Sequence, residues 1–209
     1  MTVVHENDRK TRPTVETAGS LLLDSKLKRL LLATDLSARS DRALDRAIQL
    51  ARVHKAHLSI LHVLDEELPD AVLTQLVHTA ETEITEYLKK LVPKNDVDFS
   101  VRVRAGRDYR EILDAATSDD CNLIILGRHR NESTDRSLRG TTMERVIRHG
   151  IHPVLVVAER MNAPYRRVML GIDFSVVSRF AIRAAVALAP DAEFHYASMV
   201  KTELRQRQS

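Results

Sequence analysis

The chain has 209 residues, of which 44% are hydrophobic and 29% charged, a balance typical of a globular protein with a sizeable core. Its 32 basic and 29 acidic residues leave a net charge of only +3, without the concentrated basic excess of a nucleic-acid-binding protein. No apolar run reaches the length of a membrane span, and the first residues lack the apolar centre of a signal peptide. We therefore expect a cytoplasmic protein that contacts neither membrane nor nucleic acid.

Cys121 is the single cysteine, so no disulfide can form within the chain. It begins an apolar run, which favours a reduced residue in the core of a cytoplasmic protein. A redox or nucleophilic thiol is the alternative. No cluster of metal-ligating residues stands out, and the sequence predicts no dedicated metal site.

The first elements predict a polar arm followed by a buried strand. Residues 1–25 mix both charges with Thr, Pro and Gly and show no sustained period, as expected of a polar N-terminal arm. The apolar run 30–33 then predicts a strand buried on both faces, which ends at Thr34 and Asp35. Ser37 is placed to cap the amphipathic helix that follows.

The alternation of strand and helix continues to residue 158. Strands are predicted near 58–63, 97–103, 123–126 and 154–157, and helices near 69–92, 108–118 and 140–149. This pattern predicts an α/β fold, a five-stranded parallel sheet with helices on both faces, in the strand order 2-1-3-4-5 or 3-2-1-4-5. The third strand alternates apolar and polar residues, which favours a place near the sheet edge.

Ligands of such sheets bind beyond the carboxyl ends of the strands, where the chain reverses direction across the sheet. If the fourth strand lies beside the first, Thr34 and Asp35 face the loop from Gly127 to Thr142. That loop is rich in arginine, and Gly140 allows a close backbone approach just where the unpaired amides of a helix begin. The sequence therefore predicts an anion-binding cleft.

The chain then repeats itself. Residues 167–189 match residues 29–51 without a gap, and Asp173 and Ser175 stand where the first copy has its strand-ending Asp and its capping Ser. Such self-similarity indicates a duplication. We divide the chain into the arm, a complete module at 26–158, a linker at 159–165, and a partial βαβ module with a polar tail at 166–209.

The partial module has no counterpart of the 127–142 loop, so it cannot build a second site alone. Two strands and one helix also cannot bury both faces of their sheet. We expect the apolar surface to pack on the first module or on another chain, as in a homodimer or a strand-exchanged pair. The alternative is a loosely held segment.

The motif Gly127-x2-Arg130-x9-Gly140-Thr141, together with Asp35 and the order of elements, resembles the universal stress protein (UspA-like) family. Nucleotide-binding members carry Gly-x2-Gly-x9-Gly-[Ser/Thr] after the fourth strand. The resemblance covers residues 28–158 fully and 166–200 in part, like a tandem member that has lost most of its second half. It implies a Rossmann-like fold of the adenine nucleotide alpha hydrolase type.

The resemblance also implies where a nucleotide would bind. Asp35 and its neighbour would contact adenosine, Val63 would lie against adenine, and the residues around the glycines would surround ribose and phosphates. The full implied set is Thr34, Asp35, Val63, Leu126, Gly127, Arg130, Gly140, Thr141 and Thr142. The cofactor would be ATP, with Mg2+ arriving mainly with the phosphates.

Arg130 is the one departure from the family motif, and it admits two interpretations. A side chain at a position of close backbone approach occludes the phosphate path, above all if that position needs positive φ. Alternatively, Arg130 joins Arg128 or Arg139 in charge-assisted bonds to phosphate oxygens.

These features predict a binding and dimerisation module of the stress response that binds ATP in its first module. The first alternative is a dimeric interaction protein that binds no nucleotide, as some family members are. The second is a weak ATP hydrolase, which would need a water-activating group that the sequence does not identify. We assign no catalytic residue.

Overall fold

The computed structural model describes residues 26–37, 40–64, 69–128, 141–159, 163–173 and 175–198. The first part of these residues contains strands β1 (Arg29–Thr34), β2 (His57–Leu64), β3 (Phe99–Ala105), β4 (Leu123–Gly127) and β5 (Val154–Val157). Helices α1 (Ser40–His54), α2 (Asp70–Leu91), α3 (Asp108–Ser118) and α4 (Thr142–His149) alternate with them. The last part contains β6 (Arg167–Ile172), α5 (Val176–Leu188) and β7 (Glu193–Ser198).

The strands of the first part form one parallel sheet in the order β3-β2-β1-β4-β5. This is the second of the two expected orders. The chain runs outward from β1 to the edge at β3 and returns to the other side of β1 as β4, so the reversal lies beside β1. The predicted edge position of the third strand is confirmed, because its alternating side chains need only one well-buried face.

Helices cover both faces of this sheet, as predicted. Leu30 and Leu32 of β1 pack in one apolar cluster with Leu88 of α2. Leu31 points the other way, since side chains alternate along a strand, and packs in a second cluster with Val146 of α4. All three leucines of β1 are completely buried. Full burial on both faces explains why the strand reads as a continuous apolar run.

Cys121 lies just before β4 and is completely buried as a free thiol. Burial raises its pKa to about 12, and the nearby carboxylate of Asp119 adds to the shift. A thiol with this pKa is protonated at neutral pH and is a poor nucleophile. The interpretation of Cys121 as a core residue is confirmed.

The last part of the chain has the predicted strand, helix and strand. β6 and β7 pair in parallel, and Ser175 caps α5 by accepting a hydrogen bond from the Ser178 amide at 3.1 Å. Half-buried Val168 and Leu170 alternate along β6 with exposed residues. Met169, on the opposite face, is 70% exposed.

The linker and the last part of the chain both contact α1 of the first module. The buried Arg46 side chain donates from Nη1 to the carbonyl of Ala163 at 3.0 Å, and its guanidinium lies 4.6 Å from the centre of the Tyr165 ring. At the end of the same helix, burial lowers the pKa of His54, while a hydrogen bond with the backbone of Leu188 opposes the shift. The expected packing on the first module is therefore present at α1.

The arm at 1–25 and the tail at 199–209 lie outside the described residues. Within the described part of the chain, no helix combines the length and the apolar character that a bilayer crossing requires.

Candidate functional site

A cleft opens at the carboxyl ends of β1 and β4, where the chain reverses across the sheet. Parallel pairing sets Ala33 opposite Leu126, so that the residues following each strand emerge side by side. The cleft has a volume of about 200 Å3. Its described lining consists of Ala33, Thr34, Asp35, Ser40, Leu61, Val63, Asp108, Ile112, Leu126, Gly127, Thr142 and Met143.

Asp35 lines this cleft in a fixed orientation. Its Oδ1 accepts hydrogen bonds from the amide of Ser37 at 3.1 Å and from the Ser37 hydroxyl at 2.8 Å. The hydroxyl of Ser40 donates to the same oxygen. Three donors on one carboxylate oxygen restrict the rotation of the side chain, which pre-organises it for a ligand.

The turn that carries Asp35 is itself strained. Leu36 has a φ of 59°, in the left-handed region that non-glycine residues seldom occupy. Its amide donates to the hydroxyl of Thr34 at 3.1 Å, which helps to hold the turn. The predicted cap is present as well, since the Ser37 hydroxyl accepts from the Ser40 amide at 3.4 Å. The strain accompanies a side chain aimed into a cleft, as is common at binding sites.

A second carboxylate, Asp108, enters the cleft from the start of α3. One of its oxygens accepts from the amide of Tyr109 at 2.7 Å, and the other accepts from the hydroxyl of Thr142. The contact joins the first turns of α3 and α4, which are separated by 34 residues of sequence. Thr142 therefore lies in the cleft as predicted, with its hydroxyl already engaged.

The first turn of α4 is closed by a capping box. The Thr141 hydroxyl accepts from the Glu144 amide at 3.2 Å, and the Glu144 carboxylate accepts from the Thr141 amide at 2.9 Å. Thr141 is not among the residues that line the cleft. Its side chain stabilises the helix start, which is the ordinary role of a threonine at this position.

The remaining walls of the cleft are apolar. Leu61 and Leu126 are buried at its floor, Ile112 is buried on the α3 side, and Val63 and Met143 are half-buried. An apolar slot with a few convergent polar groups is the usual construction of a small-molecule site.

The structure thus brings six of the nine predicted residues into one cleft: Thr34, Asp35, Val63, Leu126, Gly127 and Thr142. Arg130 and Gly140 lie outside the described residues. Reasoning from the sequence missed Asp108 and Ser40. Asp108 had a detectable signal, because it opens a helix directly after β3 and so lies at the ligand-binding edge of the sheet.

The fold and the cleft agree with comparisons to known proteins. Residues 26–158 match the model of the universal stress protein family. The chain therefore belongs to the universal stress protein family. The match ends before β6, so β6, α5 and β7 lie beyond it.

Individual relatives match about half of the chain or more. A universal stress protein A homolog of Haemophilus influenzae is 31% identical over 111 residues, which are 50% of this chain and 79% of the relative. Universal stress protein MJ0577 of Methanocaldococcus jannaschii is 28% identical over 155 residues, 64% of this chain and 96% of the relative.

Solved structures confirm the fold. The structure of MJ0577 superposes with a TM-score of 0.51 at 28% identity, covering 66% of this chain and 99% of that chain. Universal stress protein UspA from Lactobacillus plantarum superposes with a TM-score of 0.52 at 22% identity, covering 64% of this chain and 99% of that chain. The first module is a Rossmann-like α/β domain of this family.

Proposed function

We propose that the first module binds an adenine nucleotide, ATP, in the cleft between β1 and β4. The observation that carries this proposal is the meeting of Thr34 and Asp35 with Gly127 and Thr142 across an apolar slot. These two groups are about ninety residues apart in sequence, and they meet at the reversal point where nucleotide sites of such sheets lie.

The chemistry of the lining suits the nucleoside part of this ligand. The apolar walls offer contact area to a base, and the Asp35 carboxylate is an acceptor for an amino group or a ribose hydroxyl. The start of α4 and the loop before it are the proposed place of the phosphates, with Mg2+ held mainly by the phosphates themselves. At about 200 Å3 the described cleft is smaller than the roughly 300 to 1,000 Å3 of a complete ligand pocket, so it accounts for part of the ligand.

The binding proposal is tested on the purified 209-residue chain. Denaturation should release adenine nucleotide, and addition of Mg-ATP should raise the melting temperature. At 100 times the dissociation constant the stabilisation should be about 2.7 kcal/mol. A protein that releases no nucleotide and melts at an unchanged temperature does not bind ATP.

Arg130 is tested separately. Tighter ATP binding in Arg130→Gly would assign a blocking role to the side chain. Weaker ATP binding in Arg130→Gly would indicate that the arginine binds the phosphates, because the loss of a charge-assisted hydrogen bond reduces affinity.

We further propose that residues 166–209 belong to a second module, joined by the linker 159–165, and that the protein is of the tandem type. Support comes from the repeated turn. The Asp173 Oδ1 accepts from the Ser175 amide at 3.0 Å and from the Ser178 hydroxyl, as Asp35 does with its own serines.

We also propose that the protein acts in the cytoplasm, in the stress response, as a homodimer. Exposed apolar side chains in the last part support a further contact: Met169 is 70% exposed, Val177 72% and Tyr196 76%. Mass measurement in solution, on the full chain and on a chain ending at residue 158, tests this directly. A full chain that is monomeric at all concentrations would overturn it.

A dimeric interaction module without nucleotide is the second candidate. It is favoured by the small cleft volume and by the Thr142 hydroxyl, which is already bound to Asp108. Dimerisation with no response to Mg-ATP would select this candidate.

A further inference from the structure

Two carboxylates of the chain already occupy the start of α4, where the proposed phosphates would lie. Asp108 accepts from the Thr142 hydroxyl, and Glu144 accepts from the Thr141 amide. The first amides of a helix lack partners within it, and the helix dipole favours negative charge there. A ligand phosphate would compete with these carboxylates for the same helix end.

The two carboxylates differ in their relation to the cleft. Glu144 belongs to α4 itself, is exposed, and closes the capping box of its own first turn. Asp108 comes from α3 and lines the cleft together with Asp35 and Thr142. The charge of Asp108 therefore lies within the proposed ligand site, while that of Glu144 does not line it.

The position of Asp108 is set by the protein and not by a ligand. One oxygen is held by the Tyr109 amide and the other by the Thr142 hydroxyl. Among the described residues that line the cleft, the ionisable side chains are Asp35 and Asp108, and none is basic. A phosphate placed next to Asp108 would thus meet a like charge in a partly enclosed site, where such repulsion is weakly screened.

We infer that Asp108 is a specificity-determining residue: it opposes the phosphates of the ligand and shifts the preference of the cleft from ATP toward the uncharged nucleoside, adenosine. This inference rests on the proposed adenine site. The nucleoside part avoids the conflict, because it carries no charge. In addition, the Thr142 hydroxyl donates its hydrogen bond to Asp108 and so does not donate it to a phosphate.

The test compares adenosine and Mg-ATP by isothermal titration calorimetry on the full chain. Asp108→Asn removes the charge but keeps an oxygen that can accept from Thr142. The ratio of ATP affinity to adenosine affinity should rise about tenfold, the order expected when one like charge is removed from a partly enclosed site. Adenosine affinity should change less than about threefold, because the nucleoside carries no charge.

Asp114→Asn is the matched control. Asp114 lies on the same helix, is exposed, and does not line the cleft. In Asp114→Asn the ratio of ATP affinity to adenosine affinity should stay within about twofold of the wild-type ratio, because exposed charges are screened by solvent and salt. An equal rise in Asp108→Asn and Asp114→Asn would reduce the effect to net charge and overturn the inference.

Thr142→Val separates the charge from the hydrogen bond. It removes the hydroxyl and leaves the Asp108 carboxylate, so the ratio should not rise. A rise equal to that of Asp108→Asn would assign the selectivity to the link between the two helices and contradict the inference. Asp108→Ser serves the same purpose as Asp108→Asn if the amide disturbs the first turn of α3, because serine also removes the charge and keeps an oxygen that can accept a hydrogen bond.

The two proposals fail in different ways. A wild type that binds adenosine or ATP, with a ratio unchanged in Asp108→Asn, retains the adenine site and loses the inference. If neither the wild type nor any variant binds either ligand, the adenine site itself is wrong. Binding of ATP by Asp108→Asn alone would support the inference and the adenine site, and it would show that the wild-type cleft excludes ATP.

Discussion

The chain builds the same strand-turn-helix twice, once inside a complete sheet and once outside it. In the first copy the Ser37 amide lies 3.1 Å from the Asp35 carboxylate; in the second the Ser175 amide lies 3.0 Å from Asp173. In each copy a serine of the following helix donates to the same carboxylate oxygen. The turn is therefore encoded by a few contiguous residues, whatever surrounds it.

The surroundings differ. β1 lies between β2 and β4, while β6 pairs with β7 in a sheet of two strands. Asp35 consequently faces residues from β4 and α4 in a cleft, whereas Asp173 is exposed. A turn repeated in sequence thus becomes a site only where crossover connections bring a second group of residues opposite it.

The largest expected difference between the copies is in stability. Leu32 and Leu170 occupy equivalent positions, but Leu32 is completely buried and Leu170 is half-buried. Leu32→Ala should lower the free energy of unfolding by about 3 kcal/mol, because it leaves a cavity between packed layers. Leu170→Ala should cost less than about 1.5 kcal/mol. Urea unfolding measures both, and equal costs would mean that the second copy is buried as deeply as the first.

The next difference concerns ligand binding. If Asp35 accepts hydrogen bonds from the nucleoside, Asp35→Asn should weaken adenosine binding by about 1.5 to 3 kcal/mol, the usual contribution of a bond to a charged group. Asp173→Asn makes the same change in the same turn outside the cleft and should leave the affinity unchanged. Calorimetry on the two variants gives the comparison. Equal losses would point to a general effect on folding.

A smaller effect is expected where the copies are joined. Arg46→Ala removes the donor to Ala163 and the cation above the Tyr165 ring. Such a contact contributes roughly 1 to 2 kcal/mol when it is desolvated, so chymotrypsin should cut after Tyr165 several times faster. Arg42→Ala is the control, because exposed Arg42 donates to Ala158 at 3.1 Å and stays clear of the ring. A rate unchanged in Arg46→Ala would show that other contacts hold the linker.

The smallest expected effects are those of pH on stability, and they should differ between the two copies. Burial lowers the pKa of His152 from its usual 6.5, so the unfolded chain takes up a proton more readily than the first module does. Stability of that module should therefore decline as the pH falls below about 6.5. His152→Gln should flatten this slope in denaturant melts at several pH values; a slope that persists would assign it to other groups.

The second copy should respond only in stronger acid. Hydrogen bonds from the Ser175 side chain, then from Ser178, lower the pKa of Asp173 from 3.8 to about 2. The stabilisation is present above 3.8 and is lost as the pH falls toward 2. NMR titration of the Asp173 carboxyl should show this pKa, and Ser178→Ala should raise it. A normal pKa would contradict the turn geometry.

Features that depend on neighbouring residues could be predicted from the sequence. The apolar run of β1, the cap at Ser37 and the alternation of β3 are local signals, and alternating elements restricted the sheet to two orders. In one of those two orders β4 lies beside β1, and this order places Asp35 opposite Gly127. The remaining uncertainty was which order the chain adopts.

Features that depend on packing between distant elements could not be predicted in this way. Asp108 and Thr142 meet because α3 and α4 pack side by side, a detail of register and helix rotation that no residue pattern encodes. The spacing between Thr141 and Glu144 indicates a capping box, whereas the family motif implies that Thr141 is a ligand residue.

Because Cys121 is completely buried, its reaction with a thiol-reactive dye reports on unfolding of the structure around it. Burial shields this thiol from thiol-reactive dyes in the native state, and the raised pKa keeps it protonated; unfolding exposes it to the dye. With a single cysteine in the chain, the labelling rate counts the openings of the first module around β4. Cys121 packs in a cluster whose described members all lie before β6, so detachment of β6, α5 and β7 should leave that rate unaltered. One dye would then distinguish that detachment from loss of the fold that carries the cleft.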